Sequence, residues 1–272
     1  MEAELLKFGL VLRGPTDEHA LPILASCLSA FLPWKVVADP FPTPLELTLA
    51  FGRGEVDLVW SSPALALTSP ALREAVPVAS SLREGRAHYH AILFVRSESS
   101  IRSAMHLKGA RAVWVAESSA SGHIFPKVAL AGFGLDPQQL FLGERFVGSH
   151  GAVVEAVESG EADVGATYAT FEGGVATGEL LKSGVSDTSD PERFRVLLAT
   201  PPIPADLLLL RRKFELLAPN RVRGAFNAVG TATPEAVTTI LGTERFAPVN
   251  LSSLEELRRQ LADAKELGVP LL

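Results

Sequence analysis

The chain has 272 residues, 47% of them apolar and 21% charged, with a formal net charge of −6. That composition belongs to a folded chain rather than a disordered one, and it leaves no basic stripe of the kind a nucleic-acid partner requires. Cys27 is the single cysteine, which excludes an intramolecular disulfide and a cysteine-based zinc site.

No apolar run approaches the roughly 18 residues of a membrane span. The first residues, Met1-Glu2-Ala3-Glu4-Leu5-Leu6-Lys7, lack the basic and apolar regions of a signal peptide. A chain complete as given is expected in the cytoplasm; one from which a leader has been removed is expected in the periplasm or on a lipid anchor. The length suits either one large domain or two lobes of ordinary size.

Leu5–Leu12 reads as a first strand, Arg13-Gly14-Pro15 as a turn, and Thr16 or Asp17 as the cap of a helix running to about Phe31. Trp34–Ala38 is a second strand, Leu45–Phe51 a helix stopped by Gly52 and Gly54, and Val56–Trp60 a third strand. Ser61-Ser62-Pro63 opens a further helix or turn, and Val76–Ser80 is a fourth strand. This alternation predicts a mostly parallel sheet with helices on both faces. Arg83–Arg86 is a loop and Tyr89–Val95 a strand near the crossing into a second lobe. Met105–Gly109 is a short turn, Ala110–Val115 a buried strand, and Pro126–Gly132 a helix.

Leu140–Phe146 is predicted as a strand, Gly151–Ser159 as a helix, Val164–Tyr168 as a strand and Glu172–Leu181 as a helix. Val185–Arg193 is loop-like and Phe194–Thr200 a strand. Pro201, Pro202 and Pro204 stiffen the return crossing, and Leu207–Leu210 is a strand. Helices follow near Pro219–Val229, Pro234–Leu241 and Leu251–Leu267, the last with leucines spaced along one face. The expected lobes are 1–87 with 204–272, and 88–203. Gly54-Glu55-Val56-Asp57-Leu58 recurs as Gly160-Glu161-Ala162-Asp163-Val164, each after an apolar helix and opening a strand that ends near an aromatic, Trp60 or Tyr168. The echo fits two α/β lobes of like construction.

In doubly wound sheets ligands sit beyond the carboxyl ends of strands. The most informative such segment is Trp114–Pro126, a strand-to-helix junction carrying Ser118, Ser119, Ser121 and Gly122. Hydroxyls and open backbone amides at a helix start, with the positive end of the helix dipole, suit an oxyanion. The alternative is that Ser121 is only an N-cap. Gly148-Ser149-His150-Gly151 is a second junction of this kind, with Ser149 able to cap and His150 able to donate a hydrogen bond or sit as a surface histidine. Trp60, Ser61 and Ser62 either wall a cleft or pack as a strand end. Tyr168–Glu172 ends a strand on the same side, and His88 and His90 flank the crossing. His19, His106 and His123 lack a partner at metal-ligand spacing, and no nucleophile elbow, P-loop or dinucleotide fingerprint occurs, so no metal, cofactor or catalytic set is expected.

These segments resemble the phosphate/phosphite/phosphonate-binding proteins of ABC transporters, which have the type 2 periplasmic-binding-protein fold. The resemblance is carried by Leu107-Lys108-Gly109, by Ser119-Ala120-Ser121-Gly122 with Pro126, by Gly148-Ser149-His150 and by Gly160-Glu161-Ala162-Asp163. Pro202-Ile203-Pro204 and the run Gly242–Pro248 belong to it too. It implies a two-lobed α/β fold with a ligand cleft between the lobes and closure by hinge motion near residues 86–90 and 199–204. Ser119, Ser121 and the amides near Gly122 would bind the oxyanion, Ser149 and His150 would complete the pocket, and Trp60 and Ser61 would close it. Ala120 and Gly151 depart from the family pattern, where a Thr and an Asp are usual. Glu172, or Glu117, would meet an amine on the ligand.

The expected function is therefore a non-enzymatic solute-binding protein for a phosphonate- or phosphate-like anion, partnered by the membrane component of an ABC transporter. The alternatives are a cytoplasmic enzyme on the same fold, resembling chorismate dehydratase and using His150 with Glu172, or a sensing module read by a signalling partner.

Overall fold

The computed structural model describes residues 5–12, 16–217, 219–243 and 245–266. The elements begin with β1 (Leu5–Val11), α1 (Thr16–Phe31), β2 (Lys35–Phe41), α2 (Pro44–Arg53), β3 (Leu58–Ser61), α3 (Pro63–Thr68), α4 (Pro70–Arg73) and β4 (Val76–Leu82). Next come β5 (His88–Arg96), β6 (Ala110–Trp114), α5 (Phe125–Gly132), β7 (Phe141–Phe146), α6 (His150–Glu158), β8 (Val164–Phe171), β9 (Leu180–Ser183) and β10 (Phe194–Ala199). The chain ends with β11 (Ile203–Pro204), β12 (Leu207–Leu210), α7 (Pro219–Ala232), α8 (Pro234–Leu241), β13 (Arg245–Ala247) and α9 (Leu251–Glu266). The expected turn at Arg13-Gly14-Pro15 and Leu267 lie outside the described residues, as do the side chains of the predicted cap residues Thr16 and Asp17.

Contacts divide the chain into Met1–Ala87 with Pro204–Leu251, and His88–Ile203 with Ser252–Leu272. The sequence assigned all of 204–272 to the first lobe, whereas α9 goes with the second unit. Its Leu257, Gln260, Asp263 and Ala264 face α5 residues across a shared cavity, which its leucine stripe alone could not reveal.

In the first unit the sheet order is β13-β4-β12-β3-β1-β2. β1 runs parallel to β2 and β3, while β12 and β13 are antiparallel to their neighbours. The second unit has the order β10-β5-β8-β6-β7, with β11 beside β5 and β9 beside β8. There β6 is parallel to β7 and β8, and β5 is antiparallel to β8. Each sheet thus has a parallel centre of three strands extended by antiparallel ones. The parallel strands are those joined by helical crossovers; β5 and β12 follow directly on the chain's passage between units, with no helix to carry it back to the starting edge.

The two centres are built alike, and the repeated pentapeptide marks the same corner in both. Gly54 (φ 80°) and Gly160 (φ 81°) end the helices α2 and α6 in the left-handed region, where glycine avoids the Cβ penalty. The Asp57 amide donates to the Lys7 carbonyl at 2.9 Å and the Asp163 amide to the Arg111 carbonyl at 2.9 Å. Each carboxylate accepts in return from the backbone amide of the same basic residue, Lys7 at 3.2 Å and Arg111 at 2.9 Å. An arginine on the adjacent antiparallel strand's end completes each corner. Arg211 donates to the carbonyls of Phe51 and Val56, and Arg96 to those of Val157 and Ala162. The Arg111 guanidinium, by hydrogen bond and charge, holds the Asp163 carboxyl below the usual carboxylate range.

The first unit's core gathers Phe8, Trp34, Phe214 and Phe226, with Phe8 and Phe226 edge to face at 5.6 Å. The second unit packs one layer on each face of its sheet, Phe94 with Val153 and Val157 on one side and Trp114 with Leu130 on the other. Residues 172–181 are not the predicted helix. Gly173 and Gly174 take positive φ, and β9 then returns antiparallel to β8.

At Gly165 a Cβ would lie 2.7 Å from Val153, 2.9 Å from Val157 and 3.2 Å from Phe94. Gly165→Ala is expected to destabilise the second unit by about 1–3 kcal/mol through overpacking. Gly143→Ala, with no neighbour within 4 Å, is expected to leave it unchanged, and urea unfolding of the two variants checks the contrast.

Candidate functional site

The carboxyl end of β6 runs into Val115-Ala116-Glu117-Ser118-Ser119 and then a π-helical turn, Ala120–Ile124, that feeds α5. The Ile124 amide donates to the Ser119 carbonyl at 3.0 Å, the wider i to i+5 spacing that defines the turn. Gly122 is held against the strand end: its carbonyl accepts from the Val115 amide at 3.2 Å, and a Cβ at Gly122 would fall 2.3 Å from a Val115 methyl. The next loop is tied to the same residue, because the Gly148 amide donates to the Val115 carbonyl at 2.8 Å. Val115 is therefore the common neighbour of Gly122 and Gly148, and it brings the two junctions to one end of the sheet.

Both junctions are capped by serine. Ser119 Oγ accepts from the Gly122 amide at 3.1 Å, and Ser149 Oγ from the Ala152 amide at 3.1 Å. A hydroxyl that accepts from a cap amide still has its own proton to donate. Ser121 sits inside the π turn at only 5% exposure. Its hydroxyl and that of half-buried Ser118 make no hydrogen bond among the described residues. Both hydroxyls are therefore free to donate to a ligand acceptor.

His150 opens α6. Its Nδ1 lies 2.9 Å from Thr167 Oγ1, and its ring stands edge to face with Tyr168 at 5.0 Å. Gly184 closes on the pair, with room for no Cβ beside Thr167. Burial pushes the His150 pKa down to about 4, so the imidazole is neutral at pH 7. Tyr168 donates its hydroxyl to Asp187. The loops themselves carry no Lys or Arg. The cation of α5, buried Lys127, is 2.7 Å from Glu144, which also accepts from Trp114 Nε1 at 2.6 Å. An anion here would be met by amides, hydroxyls and helix dipoles rather than by a fixed positive charge.

Ser118, Ser119, Ser121, Gly122, Ser149 and His150 lie in the second unit on the connections after β6 and β7, while Tyr168 lies within β8, which runs on to Phe171 rather than ending at Tyr168. Trp60 and Ser61 belong to the first unit. Trp60 is 8% exposed, sits in that unit's core and packs edge to face on Phe246 at 6.0 Å. Ser61 is buried and donates to the Ser62 carbonyl at 3.1 Å, while Ser62 caps α3. His88 and His90 both reach the Gly174 carbonyl at 3.3 Å, and His90 also donates to Thr200 O at 2.7 Å. Glu117 and Glu172 are exposed, and the Glu117 carbonyl accepts from His123. Sequence reasoning missed Thr167, Asp187 and Gly184. Their only signal was alternation in β8 and a small residue two strands' turn later, which no motif marks.

Two like α/β units, each a parallel three-strand centre with helix starts at its carboxyl end, define the architecture of periplasmic-type solute-binding proteins. A family model described as "ABC transporter, phosphonate, periplasmic substrate-binding protein" matches residues 18–254, and the chain belongs to that family. Solved structures share the fold. A Xanthomonas citri protein bound to chloride superposes with a TM-score of 0.75 at 21% identity, covering 97% of this chain and 98% of the other. A binding-protein component of a Pseudomonas aeruginosa phosphonate transporter gives 0.68 at 18%, covering 98% and 88%. PhnD1 from Prochlorococcus marinus, in complex with methylphosphonate, gives 0.67 at 17%, covering 97% and 98%.

The folded His150 pKa lies below its unfolded value of about 6.5. The unfolded chain therefore takes up the proton first, and stability present above pH 6.5 is lost as pH falls toward 4, by at most about 3 kcal/mol. Buried His123 is shifted in the same direction, chiefly by desolvation. His150→Gln is expected to flatten this dependence between pH 6.5 and 4, read from urea midpoints across that range. Gly122→Ala is expected to cost about 1–3 kcal/mol and to displace the π turn, read by the same unfolding measurement and by amide exchange at Val115.

Proposed function

We propose that this chain binds a small phosphonate- or phosphate-like oxyanion at the junctions after β6 and β7, with Ser118, Ser119, Ser121, the Gly122 region, Ser149 and His150 as the contacting groups. The observation that carries this is Ser121, a residue only 5% exposed at a helix start whose hydroxyl is engaged by no other described residue. Family membership supports the ligand class, and so does methylphosphonate in PhnD1. The family is a substrate-binding transporter component, so the membrane subunits of an ABC transporter are the partner this reading implies.

The role is binding rather than turnover. His150 engages Thr167 through Nδ1, and Glu172 stands in an exposed turn after β8. With Thr167 donating to Nδ1, the His150 proton sits on Nε2 as one more donor, and the site offers an anion donors without a proton to exchange at neutral pH. Tyr168, through its contact with the His150 ring, positions that donor.

Calorimetric titration with methylphosphonate, aminoethylphosphonate, phosphite and phosphate tests the proposal. At least one is expected to bind, and Ser121→Ala is expected to weaken it by about tenfold or more, the loss of one hydrogen bond to a charged group. Affinity is expected to follow the ligand's ionisation and not the protein's between pH 5.5 and 8. Absence of heat and of any thermal shift with all four ligands would rule the assignment out.

A further inference from the structure

The second unit contains a cavity of about 550 Å³ bounded by α5, the segment before β11, the loop after β8 and α9. Its volume is in the range of small-molecule sites, and such sites combine apolar walls with few polar groups. The walls here are Phe125 and Val128 of α5, Val175, Ile203 and Leu257 of α9. His90 lines it too, but its two nitrogens are directed at the Thr200 and Gly174 carbonyls, so the ring offers the cavity carbon rather than a free donor.

The charge around this cavity has one sign. Among the described lining residues Asp263 is the only carboxylate, and none is Lys or Arg. Lys127 is paired with Glu144, Arg258 with Glu255 and Arg259 with Glu256, while Lys265 of α9 is exposed and is not among the lining residues. Gln260 donates to Glu256 at 3.2 Å. The lining therefore disfavours an anion, which sets the cavity apart from the serine-bearing loops.

We propose that this cavity is a second ligand site, for a primary amine carried on an apolar arylalkyl body. The body fills the space between α5 and α9, and the ammonium group reaches Asp263 at the wet rim. This does not depend on what the serine-bearing loops bind.

Calorimetry and thermal shift with phenylbutylamine, phenylbutanol and phenylbutyrate at neutral pH test it. The three share one body and differ in the charge of the head. The amine is expected to bind tightest, up to about fivefold over the alcohol, the reach of an exposed ion pair, with the carboxylate weakest. Asp263→Asn is expected to bring amine and alcohol to parity. Ala129→Trp fills the cavity from α5 and Ala176→Trp from the opposite wall; whichever folds with an unchanged unliganded Tm is expected to bind none of the three. The proposal is overturned if the carboxylate binds as tightly as the amine, if binding survives a folded Trp variant, or if none of the three binds.

Discussion

A carboxylate at the amino end of a strand organises each half of this molecule. Asp57 is 4% exposed, accepts from the Lys7 amide, and lies 2.8 Å from Lys213 and 3.7 Å from Arg211. Asp163 makes the same backbone exchange with Arg111 and pairs with its guanidinium at 2.7 Å. In both halves an arginine from the antiparallel neighbour fills the carbonyls left by the end of a helix. A helix end leaves four carbonyls without intrahelical partners, and a guanidinium with several donors in one plane can satisfy more than one of them. The corner therefore joins a helix end, two parallel strands and one antiparallel strand at a single point. At Asp57, which is buried, removing a cationic partner leaves charge uncompensated; the Arg111–Asp163 pair is solvent-accessible and correspondingly weaker.

With the amino ends fixed, the geometry of the other end follows from shorter-range constraints. Val115 holds two loops through its own amide and carbonyl, and Gly122 allows the close approach because it has no Cβ. The serines that cap these helices, Ser119 and Ser149, are the ones we propose meet an anion, so that in this reading capping and recognition are two uses of one arrangement. The buried neutral state of His150 is consistent with this. A charged imidazole would need a carboxylate or water beside it, and its environment instead supplies a hydroxyl and an aromatic edge.

Much of the frame was legible in the amino-acid sequence because it is written in local periodicity and punctuation. Gly54 and Gly160 stop helices, Ser62-Pro63 starts one, and apolar runs mark β6 and β8. The repeated pentapeptide pointed to two similar halves, although the arginines that complete each corner, Arg211 for Asp57 and Arg96 for Asp163, lie 154 and 67 residues away in number and share no motif. The helix expected at 172–181 failed because Gly173 and Gly174 take positive φ at its start, and Leu180 then pairs with Phe171 of β8. The Ser149 cap could be read directly, whereas after β6 the sequence offered Ser121 as the cap and Ser119 holds that place, with Ser121 inside the turn. The partners of His150 could not be read, since Thr167 and Gly184 reach it only through the sheet's register. The placement of α9 was hidden for a similar reason: a leucine stripe states that a face is buried and not what buries it.

The repeated corners sit at one end of each sheet, and the serine-bearing connections sit at the other. Strand pairing and helix packing are thus anchored at the end away from the proposed site, and the connections can be rewritten without unpicking the anchor. A chain of this design is a natural recipient for transplanted loops: exchanging residues 116–121 or 148–151 for those of a relative with different cargo should alter what is held while the scaffold stays intact.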